Sequence, residues 1–311
     1  MIDWKQQVTV QLETVTPFFL GGADPRGEPE LRPPAFRGAM RYWFRAALGG
    51  VIGDKNMEGL RKLEREVFGD AEYGSPIAIQ VRWKPLQFSE HPILPHKTPS
   101  GRRQAFHPRQ GFEVVLHTTR PVKPLVWSNA TKAFNLVILL GGLGLRSRRG
   151  AGSLRVVNSS SPELVPPFPN DPSEISRFIE KVLSSAVDMA KKLAEAEGVK
   201  VEPGLPTPPT RFPCAAQDAE IYLVKDWAAN PQVALANLMK RMPQQKWLGG
   251  ISPRQGSPLW VNILYTPQSY HLLLCVLPST LASGAQDYQK VSTFLKTFEV
   301  KDPLVVKGWN A

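Results

Sequence analysis

Apolar residues recur with two different periods along the first 160 positions, and the order of those periods constrains the fold more than any other feature. Val8, Val10 and Leu12 alternate with polar neighbours over 8–15, the two-residue period of a half-buried strand. Phe36, Met40, Trp43, Phe44 and Ala47 then fall at helical spacing over 36–48, and a second helical pattern runs over 57–68 and stops at Gly69. Strand patterns return at 76–83 and 112–119, a helix is expected over 129–140, and a strand at 153–157 closes the series. Strand, helix, strand, strand, helix, strand is the order of a ferredoxin-like domain.

The second half repeats that order less completely. A proline-rich linker at 162–172 leads into an amphipathic helix over 173–197, with Ile175, Ile179, Val182, Leu183 and Ala186 on one side. After a second proline-rich stretch at 203–213 come a strand at 219–224, a helix at 231–242, strands at 259–264 and 271–277, and a helix at 288–298. Only 304–306 offers a last strand. The expectation is therefore an α+β chain of tandem ferredoxin-like (RRM-like) lobes. Residues 1–160 form the first and 161–311 the second, which is incomplete or divergent and preceded by a long helix. Residues 84–110 read as a large aperiodic insertion in the first lobe, with six prolines or glycines and five cations. Loops of that length inside a compact domain are usually functional or disordered.

Charge separates the two halves. The chain carries +11 overall, and residues 1–160 hold 23 Lys/Arg against 13 Asp/Glu. Between 80 and 160 only Glu90 and Glu113 oppose 13 cations. A basic surface can serve solubility alone, but concentration in one half points to a polyanion, nucleic acid before membrane. The longest apolar run, 134–145, is broken by glycines and too short to cross a bilayer. The first residues lack the architecture of a secretory signal. Cys214 and Cys275 sit in no metal-binding pattern and read as core residues, which suits a reducing cytoplasm.

Three constellations stand out. Arg37, Arg41 and Arg45 fall at i, i+4 and i+8, one stripe on the first helix. No acidic residue lies between Glu30 and Asp54 to pair with them, so the stripe suits a phosphate backbone better than a solvated face. The loop 141–152 combines Gly144 and Gly150 with Arg146, Arg148 and Arg149. Its glycines permit positive φ and close backbone approach, and its amides and guanidinium groups suit an anion. It is not a phosphate-binding P-loop, since no Gly-Lys-Ser/Thr follows. The insertion interleaves Lys97, Arg102, Arg103 and Arg109 with Phe106, His107 and Phe112, a mixture that suits single strands.

Catalytic chemistry finds little support. None of the five histidines has metal-ligand spacing, and no metal or cofactor is expected. His107, among arginines, is a candidate general acid/base for RNA cleavage. Asp24, beside Gly21, Gly22 and Arg26, is a turn former first and a metal or 2′-hydroxyl ligand second.

The run from Leu20-Gly21-Gly22-Ala23-Asp24-Pro25-Arg26-Gly27 to Pro33-Pro34, followed by Phe36-Arg37-Gly38-Ala39-Met40-Arg41-Tyr42-Trp43, resembles the N-terminal signature of the RAMP superfamily. More closely it resembles subunit one of type III-B CRISPR (Cmr) effector complexes. The loop 141–152 resembles that family's glycine-rich loop, and Arg254-Gln255-Gly256-Ser257-Pro258 is similar to its counterpart in a second lobe. The resemblance implies a noncatalytic subunit of an antiviral ribonucleoprotein. Such a subunit binds crRNA near its 3′ region, helps capture target RNA, and has other RAMP subunits as partners. Cleavage in that family belongs to other subunits. The basic groove beside the first helix and the glycine loop would carry the RNA, through Arg37, Arg41, Arg45, Arg148 and Arg149. The alternative is a RAMP-type endonuclease that processes CRISPR precursor RNA. The strands lack the aromatic pattern of a base-stacking RRM sheet, so backbone and shape contacts are expected, with sequence read by base pairing.

Overall fold

A computed structural model describes residues 5–217, 219–243, 245–252, 254–280 and 288–298. The first half contains β1 (Gln7–Thr14), α1 (Pro33–Ile52), α2 (Met57–Phe68), β2 (Ile77–Arg82), β3 (Phe88–Pro92), β4 (Arg102–Phe106), β5 (Gly111–Thr118), α3 (Pro124–Leu140) and β6 (Leu154–Ser159). Strands β2, β5, β1 and β6 form one antiparallel sheet in that spatial order, the arrangement of a ferredoxin-like domain. Its register sets Val10 beside Val114 and Leu12 between Phe112 and Val156. The apolar side of every strand therefore faces α1 and α3, and the even-numbered positions of β1 are all buried.

Both covering helices begin with proline at the first turn, where no amide partner is lost. Burial of Phe36, Met40, Trp43 and Phe44 on one side of α1 stabilises it by roughly 2 kcal/mol per side chain. α2 starts on the Asn56 side chain, which accepts from the Gly59 amide at 2.9 Å. It ends at Gly69, whose φ of 69° continues the chain in the left-handed region. The outward side of the sheet is largely polar, with Val115 and Val157 as apolar positions; Phe112 is the only Phe, Tyr or Trp on its four strands, and it points into the core.

Residues 84–110 are not an aperiodic loop. β3 and β4 pair from Phe88 opposite Phe106 to Pro92 opposite Arg102. Phe18 and Phe106 then exchange backbone hydrogen bonds at 3.0 and 3.1 Å, which fixes the hairpin to the strand-like segment after β1.

The rest comprises α4 (Ile175–Ala196), β7 (Glu220–Ala228), α5 (Pro231–Arg241), the two-residue pair β8 (Gly250–Ile251) and β9 (Arg254–Gln255), β10 (Leu259–Tyr265), β11 (Tyr270–Val276) and α6 (Tyr288–Lys296). α4 packs on α1 and α3, and its Met189 carbonyl accepts from Asn129 of α3 at 2.9 Å. β10, β11 and β7 form a second antiparallel sheet in that order. The candidate last strand at 304–306 lies outside the described residues. One face of this sheet, through Trp260, Leu264, Leu273 and Cys275, joins the same core as α1 and α3. The other face packs Leu272 and Leu274 with Leu235 and Leu238 of α5 and Phe298. Burial on both faces explains why β10 and β11 read as continuous apolar runs. No helix among the described residues is long and apolar enough to cross a membrane.

Candidate nucleic-acid interface

The arginine stripe on α1 is not unpaired. Arg41 meets Glu64 of α2 at 3.0 Å and also donates to the carbonyls of Phe68 and Gly69, at 2.9 and 2.5 Å. Arg45 approaches the other oxygen of Glu64 at 3.7 Å and donates to the Arg41 carbonyl. Arg37 donates to the Ile77 carbonyl at 3.3 Å and stays half-buried. The expectation that these guanidinium groups lack an acidic partner is thus corrected. Glu64 is only 13% exposed and serves two of the three. The stripe fastens α1 to α2 and to the edge of the sheet.

The glycine loop divides its arginines between two tasks. Arg148 lies over the Trp260 ring at 4.5 Å and the Tyr42 ring at 5.5 Å, and donates to the Ser257 carbonyl. Trp260 in turn donates to the Tyr42 hydroxyl at 2.8 Å. Burial, offset by the Arg148 charge and the Trp260 bond, pushes the Tyr42 phenol up to about 12. Arg149 donates to the carbonyls of Leu248 and Leu259, at 3.2 and 3.4 Å. Burial first, then repulsion from Arg146 and Arg148, lowers its guanidinium to about 10, still cationic at neutral pH. Both side chains therefore point into the second sheet's neighbourhood and act as a clamp. At Gly256, part of the segment similar to a second glycine loop, an added Cβ would meet the end of the Arg148 guanidinium group and displace it.

Arg146 takes the other task. It is exposed and sits at φ 64°, a left-handed conformation that costs a non-glycine residue about 1 kcal/mol. The loop is rigid around it. Leu145 donates its amide to the Phe19 carbonyl at 2.9 Å, and Arg149 and Ala151 donate theirs to the Arg146 carbonyl. Gly144 turns at φ 84° with its α-carbon against the Phe19 carbonyl, so no side chain fits. Gly150, at φ 79°, packs against Ile263 and Leu235.

Three elements meet beside Arg146. His96, at the tip of the β3–β4 hairpin, is held below the usual imidazole range by burial first, and then by Lys97, Arg146 and Lys240. Leu94 of the same tip packs on the core of the second sheet. Lys240 belongs to the last turn of α5. Lys97 of the hairpin tip, Arg146 of the glycine loop and Lys240 of α5 are thus near enough to His96 to repel its charged form, a cationic neighbourhood, hereafter the mouth. Lys240 was not among the sequence-based candidates. It lies in the nearly neutral half of the chain, and nothing local distinguishes it.

The remaining candidates divide similarly. Arg102 pairs with Glu90 at 3.5 Å and donates to its carbonyl, whereas Arg103 is half-exposed on β4. Arg109 is bound to Glu13 at 2.6 Å and lies 4.1 Å over the Tyr265 ring, sharing Glu13 with Arg155. Gly21 bridges to Pro29, and Gly22 lies against Glu30. Asp24 accepts from the Arg26 amide at 2.8 Å, the turn-forming role, and leaves the Arg26 side chain exposed. The His107 ring meets His91 edge-on at 5.1 Å, and burial, then His107 and Arg102, lower the His91 imidazole. Among the described residues no three His, Cys, Asp or Glu side chains gather as metal ligands.

This combination of a split βαβ sheet, an anchored glycine loop and a second sheet packed against it defines a class of protein. The RAMP superfamily model matches residues 11–155, and the chain belongs to that superfamily. Within it the chain is similar to two Pyrococcus furiosus proteins. CRISPR system Cmr subunit Cmr1-1 is 31% identical over 173 residues, 49% of this chain and 48% of that one. CRISPR system Cmr subunit Cmr1-2 is 30% identical over 182 residues, 47% of this chain and 92% of that one. The match thus spans about half the length of the first relative and nearly all of the second. The fold is shared with the apo crystal structure of Cmr1 from Pyrococcus furiosus, at TM-score 0.68 and 21% identity, covering 96% of this chain and 98% of that one. It is also shared with a chain in a cryo-EM structure of the type III-B Cmr-beta complex bound to cognate target RNA, at TM-score 0.59 and 11% identity, covering 94% and 98%.

Proposed function

We propose that the chain is a noncatalytic subunit of a type III-B CRISPR ribonucleoprotein. In this reading it binds the 3′ region of the crRNA, helps capture target RNA in the cytoplasm, and assembles with other RAMP subunits. The observation that carries it is the meeting of three elements: the hairpin tip packs through Leu94 on the core that α5 shares, and Gly150 of the glycine loop packs on Leu235 of α5, so Lys97, Arg146 and Lys240 fall in the neighbourhood of His96. Arg26, Arg103 and the exposed part of Arg37 are further cations open to solvent in the basic half. Arg41, Arg45, Arg148 and Arg149 support that surface from behind, since their guanidinium groups are engaged within the chain. The membership of similar proteins in Cmr complexes supports the reading. A single strand held by phosphate contacts loses affinity with salt, at about 0.7 in the logarithmic slope per phosphate neutralised.

Titrating labelled single-stranded RNA over a range of salt concentrations tests this. Arg146→Glu should weaken binding about tenfold or more and reduce the slope by roughly 1, with little dependence on base sequence. Binding that is unchanged by Arg146→Glu, Lys97→Glu and Lys240→Glu together sinks the proposal. The endonuclease reading makes a separate demand, namely a defined RNA product, formed without metal and lost in His107→Ala.

A further inference from the structure

Beside Arg146 the glycine loop holds an apolar side chain that the fold leaves in solvent. Leu145 is 45% exposed, between Gly144 and Arg146. A single exposed leucine is ordinary on a protein surface. Leu145 differs because its backbone is held in place from both sides. On one side its amide is tied to the Phe19 carbonyl, and Gly144 is pressed against the same carbonyl in a conformation that only glycine adopts readily. On the other side Arg146 is kept left-handed, and Arg148 and Arg149 are anchored to the second sheet. A slack loop would fold the leucine inward, whereas this one projects it. The other large exposed apolar side chains among the described residues, Tyr73, Trp83, Phe88, Val157 and Val233, lie outside the loop's own sequence.

We propose that Leu145 is a nucleobase subsite, a wedge against which one unpaired base of the bound strand stacks while Arg146 holds the adjoining phosphate. The proposal rests on the RNA-binding reading of the mouth and adds a contact to the bases. Consecutive α-carbons lie about 3.8 Å apart, so a phosphate on Arg146 brings its own base within reach of Leu145. Apolar wedges are a known means of separating adjacent bases, because displacing one base from its neighbour is offset by contact with the side chain. The wedge tolerates any base, since every base has an apolar face.

The test uses the full chain and a set of single-stranded RNAs carrying 2-aminopurine at successive positions. Stacking loss makes this base fluoresce, so binding should raise the emission at one position more than at the others. Leu145→Ala should abolish that local rise and lower affinity roughly five-fold, with the salt slope unchanged, because no phosphate contact is lost. Leu145→Met, an apolar side chain of similar size that does not stack as an aromatic ring, should restore both. Thermal unfolding of each variant should match the parent chain, since the side chain is outside the core. Parent and Leu145→Ala proteins that bind with equal affinity and identical 2-aminopurine profiles overturn the wedge while leaving the phosphate contacts intact. A parent chain that shows no salt-dependent binding overturns both readings.

Discussion

His96 reports on the mouth through its own titration. Its imidazole is held low by burial and by Lys97, Arg146 and Lys240, so it is mostly neutral at pH 7. A phosphate arriving among those cations raises it, so binding takes up a proton. Affinity should therefore increase as pH falls through the range of the bound imidazole, and this pH dependence should vanish in His96→Asn; fluorescence titrations between pH 5.5 and 8 measure it. His271 behaves oppositely with respect to folding. It is buried, and its Nδ1 accepts from the Asp226 amide at 3.1 Å, which requires a neutral ring at that nitrogen. Burial lowers its folded pKa, against a weaker opposing pull from Asp226. The native state is thus at full stability above the unfolded value of about 6.5 and loses stability as pH falls through the folded one. Urea unfolding at pH 7 and pH 5 should show the loss, reduced in His271→Gln. Glu64 shows where reading the sequence stops at this scale. The arginine stripe was visible, but its partner lies in the next helix, 23 positions beyond Arg41. Glu64→Gln should cost about 1–2 kcal/mol in urea unfolding, because it strips a half-buried pair, while changing RNA affinity little.

Most elements were legible because their apolar residues keep one period for two turns or more. The strands β1 and β2 alternate, β5 alternates except where Val115 is buried between Val114 and Leu116, and α1 and α4 each bury one continuous side. The β3–β4 hairpin was not legible for the opposite reason. β3 is solvent-facing or half-buried along its whole length, so no alternation is written into it. The glycine loop was recognised as an element, but the internal partners of Arg148 and Arg149 were not legible, since their acceptors lie about a hundred positions away. Its clamp makes an element-level prediction. Arg149→Met leaves two buried carbonyls without a donor and should cost roughly 2–3 kcal/mol. Hydrogen exchange should speed up across 141–152 and β10 together, and the loop should lose RNA affinity without losing a direct contact.

At the scale of the molecule, the two sheets share a core. Trp260, Leu273 and Cys275 pack in the same cluster as Val8, Phe36 and Phe134, and α4 sits among them although chain order places it after the first sheet. The tandem order of elements was readable, whereas this interlocking was not, because nothing in a local pattern states which sheet a helix will cover. Calorimetry should accordingly give one cooperative transition, with calorimetric and van't Hoff enthalpies that agree. Two resolved transitions would show that the shared core contributes less than its burial suggests.

One contact in that core has a temporal meaning. Asn262 of β10 donates to the carbonyls of Ile138 and Leu139, at 2.8 and 2.7 Å, in the last turn of α3. Helix ends leave such carbonyls without partners unless something outside the helix supplies a donor. Here the donor lies more than 120 residues downstream. The last turn of α3, and with it the start of the glycine loop, therefore gains this anchor only once β10 has been made and docked. A cationic surface whose base depends on a strand so far downstream takes its final shape only after that strand has been made and docked, so the N-terminal half carries its positive charge before it carries the finished loop.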